Sequence, residues 1–144
     1  MIKDSVSIVI NQPIEKVFEY VSDIARSKEW QEDLIEAKKT SEGPTGVGTT
    51  FTYVRQLLGR KVEAPGQITE YVPNRRWTIE SKSGPLQFKG TYALEPGEMG
   101  TTMTFSYEGE AGGFFKLAEG VLASTVKKQT QGDFGRLKEL LESM

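Results

Sequence analysis

Residues 75–109 read RRWTIESKSGPLQFKGTYALEPGEMGTTMTFSYEG, and this stretch decides the fold. Apolar and polar side chains alternate through it, as expected of strands that bury one face. Gly and Pro interrupt the alternation at 83–85 and 96–97, where tight turns fit. The stretch therefore predicts three strands joined by short turns, near 75–83, 86–95 and 101–109. Short links make successive strands antiparallel neighbours.

The same alternation begins earlier in the chain, at Leu34. It predicts three further strands, near 34–41, 49–57 and 62–72. The segment 41–48, with three glycines and a proline, has the composition of a connecting loop. The region from Leu34 to Gly109 is thus predicted to be a six-strand meander.

Other elements flank the meander. Before it, alternating side chains predict a strand over 3–10. Pro13 suits the start of a short helix, predicted over 13–21, and a second short helical piece is predicted to run to Trp30. After a loop at 110–113 the apolar spacing becomes helical, which predicts a long C-terminal helix. Its apolar face carries Phe115, Ala118, Leu122, Val126, Phe134, Leu137 and Leu141. The order β-α-α-β6-α predicts an α+β fold of about seven strands, in which the long C-terminal helix lies against the sheet.

The composition excludes several classes of site. The 144 residues include no Cys and no His, which excludes disulfides, thiolate nucleophiles, Ser-His-Asp triads and the usual zinc sites. The formal charge is −2, with Lys and Arg scattered, so no nucleic-acid partner is predicted. The acids Glu29, Glu32, Asp33 and Glu36 lack metal-ligand spacing and are interpreted as a solvated face. We expect one domain over 1–144, in the cytoplasm, as a monomer or homodimer without integral membrane association, metal or cofactor.

Side-chain parity sorts the meander into a polar face and an apolar face. The apolar face, which the long helix must cover, unexpectedly includes Tyr53, Arg55, Tyr92 and Tyr107. Buried polar groups need partners, and a cavity with water or a polar ligand would supply them. In the alternative interpretation the tyrosine hydroxyls reach the rim and Arg55 extends to solvent from a strand end. The pattern taken together favours a cavity.

Four segments resemble the START-related helix-grip superfamily, in particular its polyketide cyclase/dehydrase and lipid-transport branch. They are IVINQPIEKVFEYVSD at 8–23, followed by Trp30; ITEYVPNRRW at 68–77; GTYALEP at 90–96; and GTTMT at 100–104. Each also has a structural purpose at a helix start or a turn. The resemblance covers essentially the whole chain. It implies a helix-grip fold, in which a curved antiparallel sheet wraps around the long C-terminal helix with a hydrophobic cavity between them. Members use that cavity for lipids, sterols, polyketides, plant hormones or quinones, and only some of them catalyse a reaction.

We therefore predict that the chain binds a hydrophobic or amphipathic small molecule, for transport or sequestration. Arg55 and the tyrosines would orient the polar end of an anionic or carbonyl ligand, and Trp30, Phe115, Ala118 and Leu122 would form walls or a gate. The predicted ligand-binding residues are Trp30, Phe51, Tyr53, Arg55, Ile68, Trp77, Ile79, Phe88, Tyr92, Met103, Phe105, Tyr107, Phe115, Ala118 and Leu122.

Two alternatives remain open. The first is a cofactor-independent cyclase or dehydratase acting on a polyketide-like or other carbonyl substrate, with Glu70 as the base, Arg55 as oxyanion stabiliser and a tyrosine as proton donor. Glu70 shares parity with Ile68 but lies near a strand end, where a solvated carboxylate is common. The second is a protein-interaction module, for which Phe114 is the candidate because it cannot share a helix face with Phe115. No catalytic residue is assigned.

Overall fold

The computed structural model describes residues 1–84 and 86–144, without the side chain of Phe114. In that part of the chain the elements follow the predicted order. They are β1 (Ile2–Ile10), α1 (Ile14–Val21), a 3-10 turn (Ile24–Arg26), α2 (Ser27–Trp30), β2 (Leu34–Lys39), β3 (Thr50–Leu57), β4 (Arg60–Val72), β5 (Arg76–Ser81), β6 (Leu86–Gly97), β7 (Gly100–Ala111), α3 (Phe114–Leu117) and α4 (Glu119–Glu142).

The strands form one antiparallel sheet in the order β1-β7-β6-β5-β4-β3-β2. Strands β2 to β7 therefore pair with their neighbours in sequence, as a meander does. Strand β1 closes the far edge by pairing with β7, from Ile2 opposite Gly109 to Ile10 opposite Thr101. This topology, with the long helix on one face, confirms the predicted helix-grip fold.

Two glycines in the sheet make room for aromatic rings on its inner face. A Cβ at Gly66 would lie 2.6 Å from the ring of Phe51, and a Cβ at Gly90 would lie 2.6 Å from the ring of Phe105. Such distances are too short for any side chain. Each ring instead lies directly on the neighbouring strand, which is a common reason for glycine inside a strand.

The first helix packs its apolar side onto the sheet. Ile14, Val17, Phe18 and Val21 of α1 are all buried. The ring of Phe18 meets Trp77 edge-on with 5.3 Å between centroids, and it meets Tyr71 at 5.4 Å. The 3-10 turn that follows is capped by Asp23, whose side chain accepts the N–H of Ala25 at 3.1 Å. α1 therefore covers one end of the inner face.

The predicted C-terminal helix is divided in two. Ala118 has φ −106° and ψ 23°, outside the helical range, and it separates α3 from α4. The segment before this break is held by Phe115, which is buried, whereas Leu117 at its end is 92% exposed. The long C-terminal helix thus begins at Glu119.

The two halves of α4 contact the sheet differently. Phe134, Leu137 and Leu141 in the second half are buried in the main core, together with residues of α1, β1 and the inner sheet face. In the first half Leu122 is buried, in a separate small cluster with Leu57, Val62 and Phe115. The space between the two clusters is the cavity described below. None of the described helices is both long and apolar enough to cross a membrane.

Candidate functional site

A cavity of about 170 Å³ lies between the inner face of the sheet and the part of α4 from Leu122 to Phe134. Its wall is mainly apolar and is built by Trp30, β1, β3 to β7 and α4. The aliphatic part of the lining comprises Ile2, Leu57, Val62, Ala64, Ile79, Leu86, Ala111, Leu122 and Val126. Gln87 and Glu110, which are exposed, also line it and mark the side on which it opens to solvent.

The lining contains part of the predicted ligand-binding set. It includes Trp30, Arg55, Ile79, Phe88, Tyr92, Phe105, Tyr107 and Leu122. The other predicted residues lie outside it: Phe51, Tyr53, Ile68, Trp77, Met103, Phe115 and Ala118. Parity identified the inner face, but that face extends beyond the cavity, and most of these residues are packed as solid core. Phe115 belongs to the small cluster behind Leu122, and Ala118 lies at the helix break.

A row of aromatic rings runs along the inner face of the sheet, and Tyr92, Phe105 and Tyr107 of this row line the cavity. Tyr92 of β6 stacks on Trp77 of β5 at 4.5 Å and on Phe105 of β7 at 4.2 Å. Phe105 continues the row to Tyr107 at 5.3 Å. Burial raises the pKa of the Tyr92 hydroxyl far above its usual range, so this group stays neutral. Apart from the hydroxyls of Tyr92 and Tyr107, this part of the lining is apolar and suits a ring or an alkyl chain.

Arg55 faces the cavity, which answers the question left open by the sequence. Its Nη1 donates to Asp33 Oδ1 at 3.2 Å, and its Nη2 donates to Gln31 Oε1 at 2.7 Å. The guanidinium also lies 5.1 Å from the ring centroid of Tyr53. Arg55, Asp33 and Gln31 all line the cavity. The prediction that Asp33 belongs to a solvated face is wrong, since its side chain is only 8% exposed and is needed to compensate Arg55.

Asp133 of α4 is a second buried acid in the lining, and the sequence analysis missed it. Its Oδ1 accepts the backbone N–H of Glu32 at 3.0 Å, while Oδ2 has no hydrogen-bond partner among the described residues. Burial, reinforced by the charge of Asp33, raises the pKa of Asp133 to about 6. A signal was available, because Asp133 lies four residues before Leu137 and hence on the buried stripe of the helix.

Two hydrogen-bond donors in the lining are buried without a partner in the described part of the chain. They are the indole N–H of Trp30 and the hydroxyl of Tyr107. An unpaired buried donor costs on the order of 1–3 kcal/mol. Both atoms are closed off from the cavity, so a bound molecule would reach them only if the wall shifted.

Glu70 does not face the cavity. The pairing of β4 with β5 shifts register between Ile68 and Glu70, so that the carboxylate turns to the outer face while Ile68 stays inside. There Glu70 Oε1 accepts from Arg76 Nε at 2.8 Å and from Thr78 Oγ1 at 3.1 Å. The hydrogen bond from Arg76 lowers the pKa of Glu70. The hypothesis of Glu70 as a base for a cavity-bound substrate is therefore wrong.

Phe114 is the residue that the sequence suggests for a protein interface. The side chain of Phe114 lies outside the described residues. Leu117 and Val121 nearby are 92% and 61% exposed, but they form only a small apolar pair.

Comparisons with known proteins support the same architecture. A family model described as polyketide cyclase/dehydrase and lipid transport matches residues 1–142. A comparison with curated proteins gave no match. Among solved structures, TTHA0849 from Thermus thermophilus has 22% sequence identity and a TM-score of 0.76, over 98% of this chain and 94% of that one.

Two further structures extend the comparison. A START superfamily protein from Mycobacterium smegmatis has 14% identity and a TM-score of 0.74, covering 99% of this chain and 96% of that one. The di-domain ARO/CYC StfQ of the steffimycin biosynthetic pathway has 10% identity and a TM-score of 0.78, covering 99% of this chain and 51% of that one. At these identities the likeness shows a shared fold.

Proposed function

Because the chain belongs to the polyketide cyclase/dehydrase and lipid transport family, we propose that it binds a hydrophobic or amphipathic small molecule in the cavity between the sheet and α4. The observation that carries this proposal is the combination of an apolar cavity of about 170 Å³ with polar side chains grouped in its wall. Tightly packed cores rarely leave such a space. A specific site for a small molecule typically combines apolar walls with a few polar groups that orient the ligand.

The size of the cavity limits the group that it can enclose. An apolar cavity of about 150 Å³ can hold benzene. A cavity of about 170 Å³ would therefore enclose one substituted ring or a short alkyl segment. A longer molecule would extend past Gln87 and Glu110 into solvent. Burial of apolar surface, at about 25 cal/mol per Å², would supply most of the affinity.

Native mass spectrometry of the protein purified from its own host tests this function. We expect a stoichiometric small molecule that can be extracted and identified. Leu122→Trp would fill the cavity from α4 and should abolish co-purification, since Leu122 is 1% exposed and lines the cavity. Val121→Trp is the matched control. Val121 is next to Leu122 in the chain but is 61% exposed, so a tryptophan there should leave the bound molecule in place. Equal retention by both variants would mean that the molecule binds elsewhere.

Acid–base chemistry on the bound molecule is a second candidate, favoured by Asp133. A carboxylate with one free oxygen and a pKa near 6 can take a proton from a carbonyl compound, while the cation of Arg55 would stabilise developing negative charge. The reaction class would be cyclisation or dehydration without a cofactor. The test is incubation of the extracted molecule with the parent protein and, separately, with Asp133→Asn. Conversion by the parent alone would establish turnover. A molecule that stays unchanged with both proteins would leave binding as the function.

A further inference from the structure

Acidic residues outnumber basic ones in the lining of the cavity. The only cation among the described lining residues is Arg55, and its Nη1 lies 3.2 Å from Asp33 Oδ1, so its charge is already countered. The acids of the lining are Asp33, Glu108, Glu110 and Asp133. Such a lining carries a net negative charge and disfavours an anionic ligand.

The two glutamates of β7 differ in their surroundings. Glu108 lies opposite Lys3 of β1 and Lys89 of β6, two cations on the strands at either side. Glu110 lies opposite the neutral Gln87, and both are exposed where the cavity opens to solvent. The charge of Glu108 is therefore offset by its neighbours, whereas Glu110 leaves the opening negative.

Asp133 is the acid inside the cavity that lacks a cation in the lining. Its Oδ1 accepts the N–H of Glu32, while Oδ2 has no hydrogen-bond partner among the described residues and is not enclosed by the wall. Arg136 acts on Asp133 from outside the lining, where it pairs with Glu32 at 3.6 Å, but burial still raises the pKa of Asp133 to about 6. At neutral pH Asp133 is therefore mostly ionised and has one oxygen that can accept a hydrogen bond.

The hydroxyl of Tyr92 is a second polar group in this part of the cavity. Tyr92 is only 7% exposed and lines the cavity, and its hydroxyl neither has a hydrogen-bond partner among the described residues nor is closed off by the wall. Burial raises the pKa of this hydroxyl most, and Tyr53 and Asp133 raise it further. Tyr92 and Asp133 are thus near enough to interact, and no hydrogen bond joins them.

Aromatic rings surround these two groups. The aromatic residues of the lining are Trp30, Phe88, Tyr92, Phe105, Tyr107 and Phe134. The ring of Phe134, which follows Asp133 in α4, lies 6.2 Å from the ring of Trp30 and 6.5 Å from that of Phe105. The faces of aromatic rings attract cations. Rings and an unpaired carboxylate together make a cation the ligand charge that this cavity favours.

We propose that the molecule in the cavity is a cationic amphiphile, whose protonated amine donates hydrogen bonds to Asp133 Oδ2 and to the Tyr92 oxygen while its apolar body fills the remaining space. An ammonium has three donors and no acceptor, so it can serve both oxygens. This inference rests on the proposed function, since it names the chemical class of the ligand at that site. It replaces the expectation of an anionic ligand at Arg55, because Asp33 already neutralises Arg55.

Four probes of one shape test the inference by titration calorimetry. They are para-ethylbenzylamine, para-ethylbenzyl alcohol, para-ethyltoluene and para-ethylbenzoate. Near pH 7.5 the amine is protonated, the benzoate is ionised, and the solution is more than about one unit above the pKa of Asp133. We expect the amine to bind at least about ten-fold more tightly than each of the others, with the benzoate weakest.

Two variants assign the effect to the named groups. Asp133→Asn should reduce the ratio of amine to alcohol affinity at least about five-fold, because it removes the negative charge. It keeps a side-chain oxygen for the N–H of Glu32 and should fold. Tyr92→Phe should weaken amine binding about three-fold and leave para-ethyltoluene binding unchanged, because it removes only the hydroxyl.

Glu139→Gln is the control variant, because it removes the same charge from an exposed position of α4 outside the lining. It should leave the ratio of amine to alcohol affinity unchanged. Alcohol or benzoate binding as tightly as the amine would overturn the inference and leave the proposed function standing. An unchanged ratio in Asp133→Asn would do the same. If none of the probes binds, the proposed function fails as well.

Discussion

Asp33 and Arg55 form an ion pair 3.2 Å long inside the cavity wall, with side chains 8% and 23% exposed. The pair joins the link after α2 to β3, the strand next to the edge strand β2. Asp33 also neutralises the charge of Arg55, which would otherwise be available to a ligand. Much of what we infer about the cavity follows from this one contact, because it determines which polar groups remain free.

Replacing Arg55 by Ala should destabilise the protein by about 1–2 kcal/mol, because Asp33 would keep its charge in a largely buried place without a partner. The double variant Arg55→Ala with Asp33→Ala should lose less than the sum of the two single losses. Chemical denaturation measures these differences. Arg76→Ala, which breaks the ion pair with Glu70 on the outer face, should cost much less; equal losses at both sites would contradict the buried role of Arg55.

Parity and spacing were sufficient to predict the architecture. Alternation gave the strand positions, and the pattern of Phe134, Leu137 and Leu141 gave the buried face of the long helix, because both depend on local periodicity. The helix break at Ala118 was missed, since alanine carries no local signal for it.

The polar part of the site could not be predicted in the same way. Asp33 and Asp133 are 100 positions apart in the sequence, and only the packing of α4 against the link after α2 brings both into the cavity wall. Glu70 was assigned by parity to the same face as Ile68, but one bulge in β4 reverses parity locally. Long-range packing and bulges are tertiary features that a single sequence does not display.

Asp133 should make the stability of the protein depend on pH. Its pKa of about 6 in the folded state lies above the usual 3.8, so the folded state holds the proton more tightly. Its contribution to stability is therefore full below about pH 4 and is lost as the pH rises through about 6. We therefore compare the free energy of unfolding of Asp133→Asn with that of the parent by denaturation at pH 4 and at pH 8. The difference should shift in favour of the variant by about 1–3 kcal/mol between pH 4 and pH 8. A pH-independent difference would show that Asp133 titrates normally.

Alanine at Gly132 or Gly135 should stabilise the protein. Both glycines lie in exposed positions within α4, and a Cβ at either meets no atom within 4 Å. Glycine costs about 0.5–1 kcal/mol relative to alanine in a helix interior, so each change should raise the free energy of unfolding by about that amount. Thermal unfolding with ligand-free protein measures it. A loss of stability would indicate that the backbone at these positions departs from a regular helix.

Alanine at Gly90 should have the opposite effect. Its Cβ would lie 2.6 Å from the ring of Phe105, which lines the cavity and stacks on Tyr92. The ring must move, at a cost of about 1–3 kcal/mol, and the cavity changes shape. We expect lower stability together with weaker binding of para-ethylbenzyl alcohol. Gly120→Ala is the matched control, because a Cβ there meets no atom within 4 Å; similar effects of the two changes would argue against the tight ring contact.

The location of binding can be measured directly, because the chain has two tryptophans. Trp30 lines the cavity, whereas Trp77 lies outside the lining and stacks on Tyr92 in the core. The measurement is a proton–nitrogen NMR titration of the two indole signals with para-ethylbenzyl alcohol and, separately, with para-ethyltoluene. Binding in the cavity predicts that both probes move the Trp30 signal more than the Trp77 signal. Saturating probe that leaves the Trp30 signal in place, or that moves only the Trp77 signal, would contradict a ligand site between the sheet and α4.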